Sequence, residues 1–159
     1  EVTRVPGSFT GLRVGMAVAK GLALAQRIPI IGVPTLDVVV EAQGQDTRPL
    51  CAVLQAGRQR ICVAIYRWRD GKWRVRQAPY LTTWQKLAEE ITLPTLFCGE
   101  VDPLGVERLD DLGDMAILLP AAARLRRAGY LAQIAWRRLK RGETDDPATL
   151  VPLYLQHPV

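Results

Sequence analysis

The chain has 159 residues and a mass of 17.6 kDa, enough for one domain or two small lobes with a real core. Its 48% apolar and 23% charged residues exclude disordered, collagen-like and coiled-coil classes. With 21 basic and 16 acidic residues the net charge is +5, which makes an acidic partner worth testing. No apolar run is long enough to span a bilayer and no signal peptide opens the chain, so we expect a cytoplasmic protein with no membrane partner.

Cysteine and histidine usage limits the chemistry. Cys51, Cys62 and Cys98 are odd in number, widely spaced and set in apolar stretches, which predicts buried small side chains and neither disulfides nor a zinc site. His157 is the only histidine. A Ser-His-Asp triad or a histidine-rich metal site would therefore lack its parts, which removes most hydrolase chemistry, and we predict no metal-binding residues.

The first third of the chain alternates helical and extended patterns. After a turn at Pro6 and Gly7, apolar periodicity predicts a helix over residues 12–27, a buried strand over 28–33 and a helix over 35–43 capped by Thr35. This alternation is typical of an α/β fold.

The remainder predicts an antiparallel section followed by further α/β units. We expect strands over 50–55, 60–69 and 73–77, a helix over 83–91 capped by Thr82 or Thr83, and a strand over 95–99. A loop rich in Gly, Asp and Pro then runs to Gly113, with a strand over 115–119 and the longest helix over 120–141, closed by Gly142. Asp145 and Asp146 precede Pro147 as an acidic cap, and residues 152–155 form an extended strap.

Basic residues cluster in two places. The Asp70-Gly71 turn predicts a hairpin that pairs Arg67 with Arg74 and Arg69 with Lys72 on one face, and Trp68 with Trp73 on the other. The opposed like charges either keep a sheet edge solvated, the simpler explanation, or bind an anion. The second cluster is expected along the long helix, where the last four cations complement the helix dipole: Arg124, Arg126, Arg127, Arg137, Arg138, Lys140 and Arg141.

The acidic residues Asp110, Asp111 and Asp114 either ligate a cation or turn the chain, and the turn is the simpler explanation because no calcium-loop spacing is present. A different loop, which enters the first helix, is a weak anion-binding candidate. Capping by Ser8 or Thr10 explains the same residues without a ligand. The loop candidates are Gly7, Ser8, Thr10 and Gly11.

The first helix carries two stripes. Glycines and alanines recur every four residues at Gly11, Gly15, Ala19 and Ala23, beside an aliphatic stripe of Val14, Val18 and Leu22. We expect one apolar face to pack on the sheet and the small stripe to receive a second helix at close range, either from a partner or from within the chain.

Several segments resemble one known family. The run Pro6-Gly-Ser-Phe-Thr-Gly-Leu-Arg-Val-Gly15, the following residues 17–25 and the segment 28–33 closely resemble the TsaB family, also called YeaZ. Asp145-Asp-Pro147 and residues 152–155 resemble its C-terminal signature, and Ala56-Gly-Arg58 falls at its central strand-end motif. Two residues depart from the family pattern, since Val5 replaces a glycine and Gln55 replaces an aspartate.

The resemblance implies an actin/Hsp70-like (ASKHA) α/β fold, mostly the second lobe, with a mixed sheet flanked by helices. Residues 1–33 would be a remnant of the first lobe with the interface helix, 34–142 the second lobe and 143–159 the C-terminal strap. Most of the first lobe would precede Glu1, so we expect the uncovered face of the first helix to cause self-association or partial disorder.

The resemblance also implies a non-catalytic scaffold without a cofactor, in the bacterial complex that makes threonylcarbamoyladenosine on tRNA. The family pairs with the catalytic subunit TsaD or with a second copy of itself, the ATPase TsaE joins the pair, and tRNA is contacted indirectly. The alternative is a nucleotide-binding or glycoprotease-like protein of the same fold. The interface residues carried over are Arg13, Gly15, Ala19, Lys20 and Ala23.

Overall fold

A five-stranded mixed sheet forms the centre of the molecule. The computed structural model describes residues 2–3, 9–57 and 59–153, with side chains from Gly11 onward apart from position 58. The strands lie in the order β5-β4-β3-β6-β7, in which β3 pairs antiparallel with β4 and parallel with β6. These strands are β3 (Leu50–Gln55), β4 (Ile61–Arg69), β5 (Lys72–Thr82), β6 (Thr95–Gly99) and β7 (Ala116–Leu118).

Helices cover both faces of this sheet. On one face, helix α2 (Thr35–Glu41) packs Leu36, Val39 and Val40 against alternate residues of β3 and β4. On the other face, α3 (Trp84–Glu90) and α4 (Pro103–Asp110) contribute Trp84, Leu87 and Leu109. Because β3 is buried on both faces, it reads as a continuous apolar run and not as an alternating one. The predicted mixed sheet flanked by helices is confirmed.

A smaller unit stands beside the main sheet. Strand β1 (Val2–Thr3) pairs in parallel with β2 (Gly32–Val33), and the 18-residue helix α1 (Phe9–Gln26) connects them. Helix α5 (Ala128–Lys140) packs between this unit and α2, burying Ala135 against Ile31, Val33 and Val38. No helix among the described residues is long and apolar enough to cross a membrane.

Two predictions about helices were wrong. The segment before Gly113 is not a loop throughout, because α4 begins there: Asp102 caps it by accepting from the Gly105 amide at 2.8 Å, and Pro103 occupies its first turn. The helix expected over 120–141 is broken. A 3-10 turn, Ala121–Arg124, is followed by extended backbone at Arg127, and only α5 remains of the long helix.

Further element boundaries differ from the predictions. Thr35 does not cap α2, since Pro34 holds the N-cap position and Thr35 is the first helical residue. The strand expected over 28–33 shrinks to β2 and a single bridge between Ile30 and Asp145, while β5 continues past 77 to Thr82. Thr83 caps α3 as expected. Gly142, with φ +73°, ends α5 with the Glu143 amide donating to the Arg138 carbonyl, a Schellman arrangement.

Candidate partner interface

The outward face of α1 carries an apolar row that nothing in the described part of the chain covers. Val14, Val18 and Leu22 follow at four-residue spacing, which places them on one face of the helix, and their side chains are 57%, 56% and 55% exposed. We call these three residues the aliphatic row. Burial of a large aliphatic side chain stabilises a protein by about 1.5–3 kcal/mol, so a row left half open is a feature of interaction surfaces.

The inward face of α1 packs within the chain. Met16 and Ala23 are buried against Ile30 and Leu150, with Ala19 partly buried in the same cluster. The small stripe was expected to be free for a second helix, but at Ala19 and Ala23 it packs within the chain. The short alanines leave room for Leu150 to approach the helix, and the aliphatic row faces outward and does not pack on the sheet.

The five predicted interface residues divide between these two faces. Arg13 and Gly15 are exposed, Lys20 and Ala19 are half-buried, and Ala23 is buried. A Cβ added at Gly15 meets nothing within 4 Å, so the helix backbone is open to close approach there. Their role in an interface stays a prediction. The aliphatic row was not among the predicted residues, although its four-residue spacing in a helix without acidic residues was a readable signal.

The C-terminal segment is fastened to the small unit by charged and backbone hydrogen bonds. The Gly32 amide donates to Asp145 Oδ2 at 2.7 Å, the Asp145 amide donates to the Ile30 carbonyl at 2.9 Å, and Arg138 Nη1 donates to the Gly32 carbonyl at 2.8 Å. Asp146 then caps one turn by accepting from the Ala148 amide. The acidic pair before Pro147 therefore holds Leu150 against α1, a structural role.

The residues at the end of β3 form hydrogen bonds and an ion pair within the chain. The Gln55 amide donates to Glu100 Oε2 at 2.9 Å, its side-chain Nε2 donates to the Glu100 carbonyl at 3.3 Å, and Arg126 Nη2 lies 2.6 Å from Glu100 Oε1. Both carboxylate oxygens of Glu100 are thus engaged. Arg58 of the strand-end motif lies outside the described residues.

Other candidate groups are buried or lie outside the described part of the chain. Cys51, Cys62 and Cys98 are free and buried as predicted, and burial raises the pKa of the Cys62 and Cys98 thiols to about 12. Among the described residues, no group of three or more His, Cys, Asp or Glu side chains is placed to hold a metal.

The acidic residues expected to turn the chain do so, since Asp110 ends α4, Asp111 is its C-cap and Asp114 lies in the 3-10 turn Gly113–Met115. Of the anion-loop candidates, Gly7 and Ser8 lie outside the described residues, as do Val5, His157 and the side chain of Thr10. Gly11 is exposed in α1.

The β4–β5 hairpin has the predicted register. Arg67 pairs with Arg74 and Arg69 with Lys72, and on the opposite face the rings of Trp68 and Trp73 form an edge-to-face pair with centroids 5.5 Å apart. The indole face borders a cleft of about 580 Å³ between the hairpin and α5. Residues lining this cleft include Asp37, Tyr66, Trp68, Trp73, Arg137 and Arg141.

Comparisons with known proteins agree with this architecture. Two curated proteins named "tRNA threonylcarbamoyladenosine biosynthesis protein TsaB" align with 98% of the chain: that of Bacillus subtilis is 31% identical and covered over 68% of its length, and that of Escherichia coli 30% and 69%. A family model described as "TsaD: tRNA N6-adenosine threonylcarbamoyltransferase" matches residues 1–95.

Solved structures show the same fold. A Pseudomonas aeruginosa protein described as similar to the peptidase YeaZ superimposes with a TM-score of 0.76 at 23% identity, over 97% of this chain and 71% of that one. A second, described as YeaZ from the same organism, gives 0.73 at 24% identity over 96% and 72%. The mixed sheet, these neighbours and the TsaD model fit the expected actin-like fold. Since the curated relatives align along nearly its whole length, the chain belongs to the TsaB family.

Proposed function

We propose that this chain is a non-catalytic subunit in the biosynthesis of threonylcarbamoyladenosine on tRNA, and that it pairs with a TsaD-type catalytic subunit through the outward face of α1. The names of its relatives supply the pathway. The observation that carries the proposed docking site is the aliphatic row, Val14, Val18 and Leu22, each more than half exposed.

The energetics favour a helix as the docking element. Covering the exposed parts of three aliphatic side chains yields about 2.5–5 kcal/mol before the cost of association. An added Cβ meets no atom within 4 Å at Gly15 or at Gly21, so a partner helix has room to come close to the backbone. The same face would accept a second copy of this chain when the catalytic subunit is absent, and a TsaE-type ATPase would join the heteromeric pair.

The non-catalytic part of the proposal rests on how potential catalytic groups are used. Both Glu100 oxygens are engaged by Gln55 and Arg126, and Asp145 is engaged by Gly32 and Arg138. The cysteine thiols are buried and have raised pKa values, which disfavours the nucleophilic thiolate. These groups hold the fold together, and the transfer chemistry would then belong to the partner.

Co-expression with the TsaD-type subunit of the same genome tests the proposal. Wild type is compared with Val14→Lys plus Val18→Lys, which places two charges in the aliphatic row. The matched control is Leu93→Lys plus Leu125→Lys, two leucines that are 49% and 56% exposed elsewhere on the surface. Complex formation is measured by size-exclusion chromatography with light scattering.

We expect the wild type and the control to form a stable complex and the α1 variant to form none. A complex that survives in the α1 variant would place the interface elsewhere. If wild type forms no complex, the proposed pairing is wrong. Light scattering of the chain alone tests the homodimer, which should dissociate in the α1 variant and persist in the control.

A further inference from the structure

Most of the net charge of the chain sits on one hairpin. Residues 67–76 contain five basic residues and one acidic residue, Asp70, and so account for +4 of the total +5. The register places four of the cations on a single face as two directly opposed pairs, Arg67 with Arg74 and Arg69 with Lys72. Arg76 follows at the irregularity between Val75 and Gln77. We call these five residues the basic face.

Holding these charges together costs stability. Like charges directly opposite each other on paired strands are destabilising. Blunting the edge strand β5 against aggregation needs charged side chains on the edge, but it does not need directly opposed pairs of them. Five cations, four of them in directly opposed pairs, exceed that need, which favours a bound anionic partner.

Several cations elsewhere are held in ion pairs. Arg137 lies 2.8 Å from Glu41, Arg126 lies 2.6 Å from Glu100 and Arg141 lies 2.6 Å from Glu143. In the part of the chain that the structure describes, none of the five cations of the basic face takes part in an ion pair. Arg67 Nη1 donates to the Thr47 carbonyl at 3.4 Å, and no carboxylate among the described residues neutralises any of the five charges.

Aromatic rings lie directly behind this charge. Trp68 and Trp73 are only half-buried, and their side of the hairpin borders the cleft whose other wall includes Arg137 and Arg141. Phosphate-binding cations combined with accessible aromatic rings are the two ingredients of sequence-tolerant RNA binding, in which bases stack on the rings. An acidic protein surface would use the cations alone, and the indoles would then serve only the fold, through their edge-to-face pair and the hydrogen bond from Trp73 Nε1 to the Gln43 carbonyl at 3.3 Å.

We propose that the basic face is an RNA-binding surface that contacts the phosphates of the tRNA substrate directly, with the Trp68 and Trp73 edge of the cleft available to an unpaired base. The choice of tRNA among RNAs rests on the proposed function. The surface lies on β4 and β5, whereas the proposed protein interface lies on α1, so the two can be disabled separately.

Fluorescence anisotropy with an unmodified tRNA transcript, titrated from 0.05 to about 0.5 M salt, tests the proposal. Wild type is compared with Arg69→Gln plus Arg74→Gln, and with the control Lys86→Gln plus Arg108→Gln, which removes two exposed charges from α3 and α4. Circular dichroism of the coupled Trp68 and Trp73 indoles verifies that the hairpin remains folded in each variant.

Loss of two phosphate contacts should lower the magnitude of the slope of log affinity against log salt by about 1.4–1.8. If the variant and wild type bind equally at 1 M salt, the variant then binds roughly 25- to 60-fold more weakly than wild type at 0.1 M salt. The control should keep the wild-type slope. Equal losses in both variants would mean a general effect of net charge and would overturn the proposal, as would an unchanged slope in the hairpin variant.

Two further arms separate the alternatives. Binding of poly-glutamate, but not of tRNA, in a manner that requires Arg69 and Arg74 would overturn the proposal in favour of an acidic protein partner. The hairpin variant should still form the complex with the TsaD-type subunit, and the Val14→Lys plus Val18→Lys variant should still bind tRNA. A failure of either proposal is thereby distinguished from a failure of the other.

Discussion

The main sheet and helix α1 differ in how completely their apolar side chains are buried. In β3 and its neighbours, the side chains of Leu50, Val53 and Phe97 are completely buried between helices on both faces. In α1 the described residues cover one face, through Ile30 and Leu150, and leave the aliphatic row open.

The sheet buries its apolar side chains within the chain, whereas the outward face of α1 needs another surface to bury its own. The sheet closes its own core with α2 on one side and α3 with α4 on the other. Helix α1 has no such second cover among the described residues. Substitutions that add the same methyl group to each region should therefore have effects of opposite sign.

The largest effect is expected at Gly99, the last residue of β6. Its φ is +91°, a conformation that L side chains rarely adopt, and an added Cβ would overlap the carbonyl oxygen of Val53 on β3. Gly99→Ala should lower the free energy of unfolding by about 2–5 kcal/mol, combining backbone strain with overpacking. Urea denaturation measures it.

Gly44→Ala is the matched control for that substitution, because Gly44 is exposed and a Cβ there meets no atom within 4 Å. Its free energy of unfolding should stay within about 1 kcal/mol of the wild-type value. A Gly99→Ala protein as stable as the control would mean that β3 and β6 are not packed this closely.

A smaller effect of the opposite sign is expected at Gly21, within α1. A Cβ added there meets nothing within 4 Å, so Gly21→Ala removes the cost of a helical glycine without a clash. The variant should gain about 0.5–1 kcal/mol, or roughly 1–4 °C in Tm. A destabilised variant would reveal that another backbone already lies against this face in solution.

The sheet was predictable because its signals are local. The strands over 50–55 and 95–99 and the hairpin register followed from apolar runs and from the Asp70-Gly71 turn. The break before α5 was missed because Leu125, Arg126 and Arg127 have good helix propensity, and only tertiary structure keeps Arg127 extended. For α4, the Asp102-Pro103 start signal was present and was outweighed by the surrounding glycine and acidic residues.

The candidate interface was predicted only in part, for a similar reason. Periodicity placed two stripes on the first helix correctly, yet it contains no information on which stripe faces inward. That choice depends on Leu150, more than a hundred residues away in the chain, which packs against Met16 and Ala23. The spacing of residues within one helix does not predict long-range contacts of this kind.

The smallest expected effect concerns the boundary between the two regions, where Asp37 of α2 borders the cleft. Tyr66 Oη donates to Asp37 Oδ1 at 2.7 Å, but burial is the larger influence and raises the pKa of Asp37, with Glu41 acting in the same direction. In the folded protein the carboxyl keeps its proton at pH values where the unfolded chain has lost it. Stability should therefore fall as pH rises from the unfolded pKa of about 3.9 through the folded value.

Asp37→Asn removes this dependence while keeping an oxygen that accepts from Tyr66. Its stability relative to wild type should rise as pH increases from about 3.9 through the folded pKa of Asp37 and then level off, as measured by urea denaturation at several pH values. Tyr66→Phe should act oppositely, because the lost hydrogen bond otherwise lowers the pKa of Asp37, and the fall in stability should extend to higher pH. Parallel curves for wild type and Asp37→Asn would show that Asp37 ionises in the folded protein as it does in water, and that the cleft side of α2 is open to solvent.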